Sequence, residues 1–184
     1  YFNINPMSTN HLKSGSKVIL LCTLVILPLL FDSCQKDATT VESAATESYS
    51  AQHLLDYYDL ICETTKNTPG FFPPQAARAY AYISIANYEA VYHGIENAVS
   101  LQTQLNGFSA ITMPEPEPDR EYNWAIASNA AVAKMMKYMY DKNLNIADKL
   151  AIEDLETKNF KKLSTSLDSD VADRSVLFGA AVAD

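Results

Sequence analysis

The stretch PPQAARAYAYISIANYEAVYHG, from Pro73 to Gly94, sets the tightest limit on how this chain can fold. Two prolines stand at its start, where a missing amide proton is harmless, so a helix begins there. Between Ala76 and Ala90, seven of fifteen residues are Ala or Ser, a surface that lets neighbouring backbones come close. Tyr80, Tyr82, Tyr88 and Tyr92 are spread around the circumference, which predicts a helix buried on most sides and running to about Val99. Each buried hydroxyl would need a partner. Arg78 and Glu89 are eleven positions apart, so they share a face but stand about 16 Å apart along the axis and cannot pair. Glu89 and His93 are one turn apart and can meet. Arg78, Glu89 and His93 are read as structural polar groups of a central packing helix, into which Ala81→Leu would be an overpacking change. A catalytic role for Arg78 or Glu89, or a place at a subunit contact, is the competing reading.

The rest of the chain points the same way. Glycine is scarce, alanine is plentiful, and β-branched runs are rare beyond the N-terminal segment, a balance that favours helix. Five helical segments and no strand are expected, which makes the fold an all-α helical bundle. The first spans about Ala51 to Thr65, with Ser50 as N-cap and Leu54, Tyr58, Ile61 and Thr65 on one face. The second is the opening stretch. The third spans about Glu121 to Lys142, with Trp124, Ala131, Met135 and Tyr138 sharing a face. Met135, Met136 and Met139 read as gap-filling core residues. The fourth runs from Asn145 to Leu163, its apolar positions being Leu150, Ile152, Leu155 and Phe160. The fifth starts near Asp170 and carries no stop signal before Asp184, from which the bundle is expected to be an incomplete half of a larger α-helical domain. Between the second and third helices lies a loop, Gln102 to Arg120. Its MPEPEPD segment is expected to be extended and solvated, and it lacks the pattern of a calcium loop. The formal net charge of −8 repels phosphate backbones, so nucleic acid is not expected as a partner.

The N-terminal third of the chain reads as an address. Residues 1–6 precede the first methionine and look like upstream translation. Residues 7–33 have the plan of a lipoprotein signal peptide, with Lys13 and Lys17 ahead of an uncharged run from Val18 to Phe31. That run of fourteen residues would reach about 21 Å as a helix, short of the ~30 Å hydrocarbon core of a bilayer. LFDSC then resembles a bacterial lipobox, which makes Cys34 the expected site of lipidation. Asp32 and Phe31 depart from the tightest form of that motif, and a plain secretory signal is the other reading. Residues 34–50 follow as a tether, and residues 51–184 as the helical bundle region. The protein is therefore expected to be exported, as an outer-membrane or periplasmic lipoprotein. Once the leader is removed and Cys34 carries lipid, Cys62 is the remaining cysteine, expected to be a buried, inert thiol. His11 belongs to the leader, and His53 is expected to be exposed.

Several residues of the bundle carry a family resemblance. Thr68, Pro69, Pro73, Pro74, Ala76, Ala77, Arg78, Ala86, Tyr88, Glu89 and Ala90 resemble the opening helical region of vanadium-dependent haloperoxidase-related proteins, of the type 2 phosphatidic acid phosphatase superfamily. RSVLFGAAVAD is similar to the helix that precedes the catalytic half in that family. The resemblance implies an oxyanion site for vanadate or a substrate phosphate, built from a Lys, an Arg-Pro, a Ser-Gly-His, and an Arg with a later His. Cationic side chains and N–H donors would hold the anion, and an imidazole would act as nucleophile or metal ligand. This sequence contains no Arg-Pro and no Ser-Gly-His, so no catalytic, cofactor-binding or metal residue carries over. The expected function is the N-terminal scaffold of a secreted, lipid-anchored haloperoxidase-like or acid-phosphatase-like protein, with the catalytic half absent from this chain. The alternative is a lipid-anchored helical binding module for glycan or peptide capture. The expected partners are a membrane reached through the lipid anchor, the C-terminal half, and a second copy in a homo-oligomer. Metabolic labelling with a fatty-acid probe tests the anchor: label should appear on the wild-type protein and vanish in Cys34→Ala.

Overall fold

The computed structural model describes residues 42–184, and the expectations for the leader and Cys34 fall outside them. Five α-helices form the described unit: α1 Gln52–Asn67, α2 Pro73–Val91, α3 Trp124–Tyr140, α4 Ile146–Leu163 and α5 Ser169–Val182. Short 3-10 turns fill parts of the connections, and no strand occurs among the described residues. The fold is an all-α bundle. No helix among these residues is long and apolar enough to cross a membrane.

Local chemistry sets the helix starts. Pro73 and Pro74 open α2. Asn123 caps α3 by accepting from the Ile126 amide at 3.0 Å, and Asn145 caps α4 by accepting from the Asp148 amide at 2.8 Å. Asp168 does the same for α5, from the Asp170 amide at 2.8 Å. Ser50, the expected N-cap, stands one residue ahead of the observed cap Ala51 and accepts from the Gln52 amide at 3.2 Å. Between α1 and α2 the chain turns through Gly70, whose φ of +81° favours glycine.

The centre of the bundle is α3, not α2. Every residue from Trp124 to Ala133 is buried. α3 touches all four other helices and joins two apolar clusters. One cluster joins Tyr57 and Ile61 of α1, Ala79 and Ile83 of α2, Met136 and Tyr140 of α3, and Ile152 of α4. Each large side chain fully buried there contributes roughly 1.5–3 kcal/mol. The other joins Ala86 and Ala90 to Trp124, Ala127, Phe178 and Val182. α2 and α3 are antiparallel: Phe71, just ahead of α2, stacks on Tyr140 at 4.4 Å between ring centroids, while Gly94, beyond the end of α2, abuts Trp124.

The expectation of a nearly encircled α2 therefore fails. Its buried side is the single stripe Ala76, Ala79, Ile83, Ala86, Glu89 and Ala90. Tyr80, Tyr82 and Ala81 are exposed. α2 stops at Val91 rather than Val99, because a 3-10 turn, Tyr92–Gly94, brings the chain onto Trp124. A Cβ on Gly94 would lie 2.1 Å from Trp124 Cδ1 and 2.4 Å from Thr46 Oγ1, so only glycine fits that crossing.

Other expectations are rotated or displaced. On α1, Ile61 is buried and Leu54 packs against the core as expected, but the buried tyrosine is Tyr57, and Tyr58 is exposed. Cys62 is also exposed, contrary to the buried-thiol reading, because it sits about 100° from Ile61 around the helix. Tyr138 is 75% exposed, so it leaves the core face assigned to it, and Leu150 likewise points to solvent. Residues 42–50, read as tether, lie on the bundle. Ser43 Oγ accepts from the Tyr122 amide at 2.8 Å, and Thr46 Oγ1 donates to the Val91 carbonyl at 2.8 Å.

α5 reaches α3 through a glycine. A Cβ on Gly179 would lie 2.0 Å from the Ala127 carbonyl oxygen. Gly179→Ala should therefore destabilise by roughly 1–3 kcal/mol, more than the ~1 kcal/mol it gains in helix propensity. Ala81→Leu, on the open side of α2, should stay within about 0.5 kcal/mol of wild type. Thermal melts of both variants check this, and a Gly179→Ala protein as stable as wild type contradicts the packing described.

Candidate functional site

α2 carries a second stripe beside its buried one. Arg78, Tyr82, Ile85 and Glu89 recur at spacings of four, three and four, which keeps them on one side of the helix. Facing them across the seam are Met135, Tyr138 and Met139 of α3. Together these residues line a groove of about 950 Å³. The tail of α5 and the loop from Leu105 to Met113 form its walls. The lining is mainly apolar, and Leu105 and Ile111 remain exposed on the loop wall.

The sequence grouped Arg78, Glu89 and His93 on one helix. The structure brings Arg78 and Glu89 to the same groove and sends His93 elsewhere. Glu89 is 1% exposed. Its carboxylate accepts from the Leu101 amide at 2.7 Å and from Ser100 Oγ at 2.9 Å. These bonds stand where the helical spacing had placed His93. They offset the cost of burying the charge and fasten the loop wall to α2. Arg78 lies at the rim, exposed, with no ion pair or hydrogen bond among the described residues. Lys134, also in the lining, is occupied: its ammonium donates to the Ala180 carbonyl at 3.0 Å and pairs with Asp184 at 2.5 Å.

His93 belongs to an aromatic cluster. Its ring lies against Tyr92 with centroids 3.9 Å apart and stands within 6.0 Å of Trp124 and 5.8 Å of Phe178. Its Nε2 is 3.6 Å from Glu115. Burial lowers the His93 pKa below 6.5, while Glu115 and Glu89 pull it back up. The same surroundings push the Tyr92 hydroxyl up to about 12, through burial first and those two carboxylates second. The proline–acid segment is therefore not wholly solvated: Glu115 faces His93, and the Glu117 amide donates to the Tyr122 hydroxyl at 2.9 Å.

A second constellation escaped sequence reasoning. His53, expected to be exposed, is partly buried where α1, α2 and α3 meet. Its Nδ1 is 3.1 Å from the Ser50 carbonyl oxygen, and its Nε2 is 3.1 Å from Ser128 Oγ. Ser128 in turn donates to Asn87 Oδ1 at 2.6 Å. A serine beside an imidazole is the start of a nucleophile–base pair. However, Ser128 is 2% exposed and sits inside α3, where backbone amides are spent on the helix. The adjoining cavity is only about 110 Å³. This cluster pins the start of α1 to α3 and has no donors for an oxyanion. Its one trace in the sequence is Ser128-Asn129, a polar pair inside an alanine-rich, uncharged run. Asn129 completes a similar clasp, accepting from the Tyr57 hydroxyl at 3.1 Å and donating to the Glu156 carbonyl at 3.0 Å.

A vanadate or phosphate cradle needs several cations and an imidazole converging on one point. The described residues do not fit that need. Arg78 stands alone at the rim, Lys134 is engaged, and His53 and His93 lie outside the groove. Among these residues no group of three or more His, Cys, Asp or Glu is placed to hold a metal ion.

His53 and His93 both have pKa values lowered by burial from 6.5. In the unfolded chain they take up protons first, so stability is present above about 6.5 and is lost as pH falls through the lower folded values. Thermal melts stepped from about pH 7 down to about pH 5 should show a falling midpoint, and the fall should be shallower in His53→Gln. An unchanged slope in that variant contradicts the assignment. No protein-family model matches this chain, and neither a curated protein nor a solved structure matches it.

Proposed function

We propose that this bundle supplies scaffold and binding surface, rather than reacting groups, to an exported, lipid-anchored protein of the vanadium haloperoxidase-like or acid-phosphatase-like kind. The anion-holding residues that such chemistry requires would come from chain beyond the residues given. The reading is supported by the residue resemblance between Thr68 and Ala90 and by the all-α fold. The observation that carries it is the groove along the α2–α3 seam, which has mainly apolar walls and no histidine, serine or cysteine in its lining. In this reading Arg78 and Glu89 shape the wall of a pocket, and Glu89 acts by holding the loop.

A stand-alone binding module is the second reading, favoured by the uncommitted guanidinium of Arg78 on that groove. Activity separates the two. The 184-residue chain should hydrolyse no phosphomonoester and oxidise no halide with peroxide. A longer protein encoded by the same gene should do one of these. If the longer protein carries neither activity, the scaffold reading falls and the binding module replaces it.

A further inference from the structure

The ends of the groove differ chemically. At one end stand three uncommitted polar groups: the Arg78 guanidinium, the Tyr82 hydroxyl one turn along α2, and the Tyr138 hydroxyl from the facing helix. None has an ion pair or hydrogen bond among the described residues. The rest of the lining is mainly apolar and includes Ile85, Ala86, Met135, Phe108, Met113 and Val182. The other three charged residues of the lining have partners: Glu89 accepts from Ser100 and Leu101, and Lys134 pairs with Asp184. Arg78 is therefore the one cation of the lining without a partner among the described residues, and the buried Glu89 carboxylate lies eleven residues further along α2.

From this polarity we infer that the groove binds a long-chain carboxylate, head group on Arg78 and alkyl chain along α2 and α3. A carboxylate is planar and matches the fork of a guanidinium, and the two tyrosine hydroxyls can donate to its remaining lone pairs. The alkyl body exchanges water for Ile85, Met135 and Val182, and methionine adapts to chains of varied shape. The span from Arg78 to Glu89 is about 16 Å along the helix, enough for an extended chain of twelve or so carbons. At about 950 Å³ the groove lies at the upper end of the ~300–1,000 Å³ typical of small-molecule sites. The inference rests on the groove being a binding surface and not on which enzyme family the chain belongs to.

The test is a titration of the purified 184-residue chain with dodecanoate, followed by calorimetry below the aggregation limit of the ligand. Saturable one-to-one binding is expected. Dodecanol, which has the same chain without the charge, should bind about tenfold or more weakly, as should dodecanoate to Arg78→Gln. Arg78→Lys should retain part of the affinity, and Ala81→Trp, which places an indole in the groove from an exposed position, should abolish binding. Circular dichroism on each variant confirms that the helices remain. Equal affinity for the alcohol and the carboxylate overturns the inference, as does the absence of saturable binding in the folded wild-type chain. The outcome is independent of the phosphatase and halide assays above, so either reading can fail alone.

Discussion

Everything in this bundle depends on how closely two helices can approach α3. Ala127 presents its carbonyl to Gly179, and a single methyl group at that glycine would occupy the space of the oxygen. On the other side Ala79, Ala86 and Ala90 let α2 lie against Ala127, Ala131 and Val132. Small side chains give up buried area per residue, but they bring backbones together, and larger groups then close the gaps at either end. Ile83, Met136 and Tyr140 fill one end, and Trp124 and Phe178 the other. A core built this way tolerates little added volume at its crossing points.

Buried polar side chains give the packing its register. Asn129 clasps Tyr57 from one side and the α4 backbone from the other, so α1, α3 and α4 are tied at one level. Ser128 ties α1 to α2 through His53 and Asn87. Such groups add little net energy when satisfied, yet leaving any one unsatisfied in the interior costs about 1–3 kcal/mol. A helix that slid by one residue would break several of these pairs together.

Among the described residues, the number of helices, their approximate starts and the absence of strand were legible in the sequence, because proline, asparagine and aspartate mark helix starts by local chemistry. Which helix sits in the middle was not. Both α2 and α3 are rich in alanine, and the tyrosines of α2 suggested burial on all sides. The better signal was charge: Trp124 to Ala133 contains none, whereas α2 carries Arg78 on what proved to be its open side. On α1 the wrong tyrosine was placed in the core because Tyr57 and Tyr58 are adjacent and identical, and only contact with Asn129 decides between them. The groove itself was half visible. Arg78 and Glu89 were placed correctly on one side of a helix, but the loop from Leu105 to Met113 carries no periodicity to reveal that it folds back as a wall.

Glu89 holds the chain at Ser100 and Leu101, just ahead of that loop, and Tyr122 meets it again at Glu117. Met113 packs on the second apolar cluster, but residues 104 to 112 make no hydrogen bond to the helices beneath. Related proteins could therefore lengthen, shorten or recolour residues 104 to 112 and alter what the seam admits while the bundle stays as it is, much as a lock keeps its case when the pins are changed.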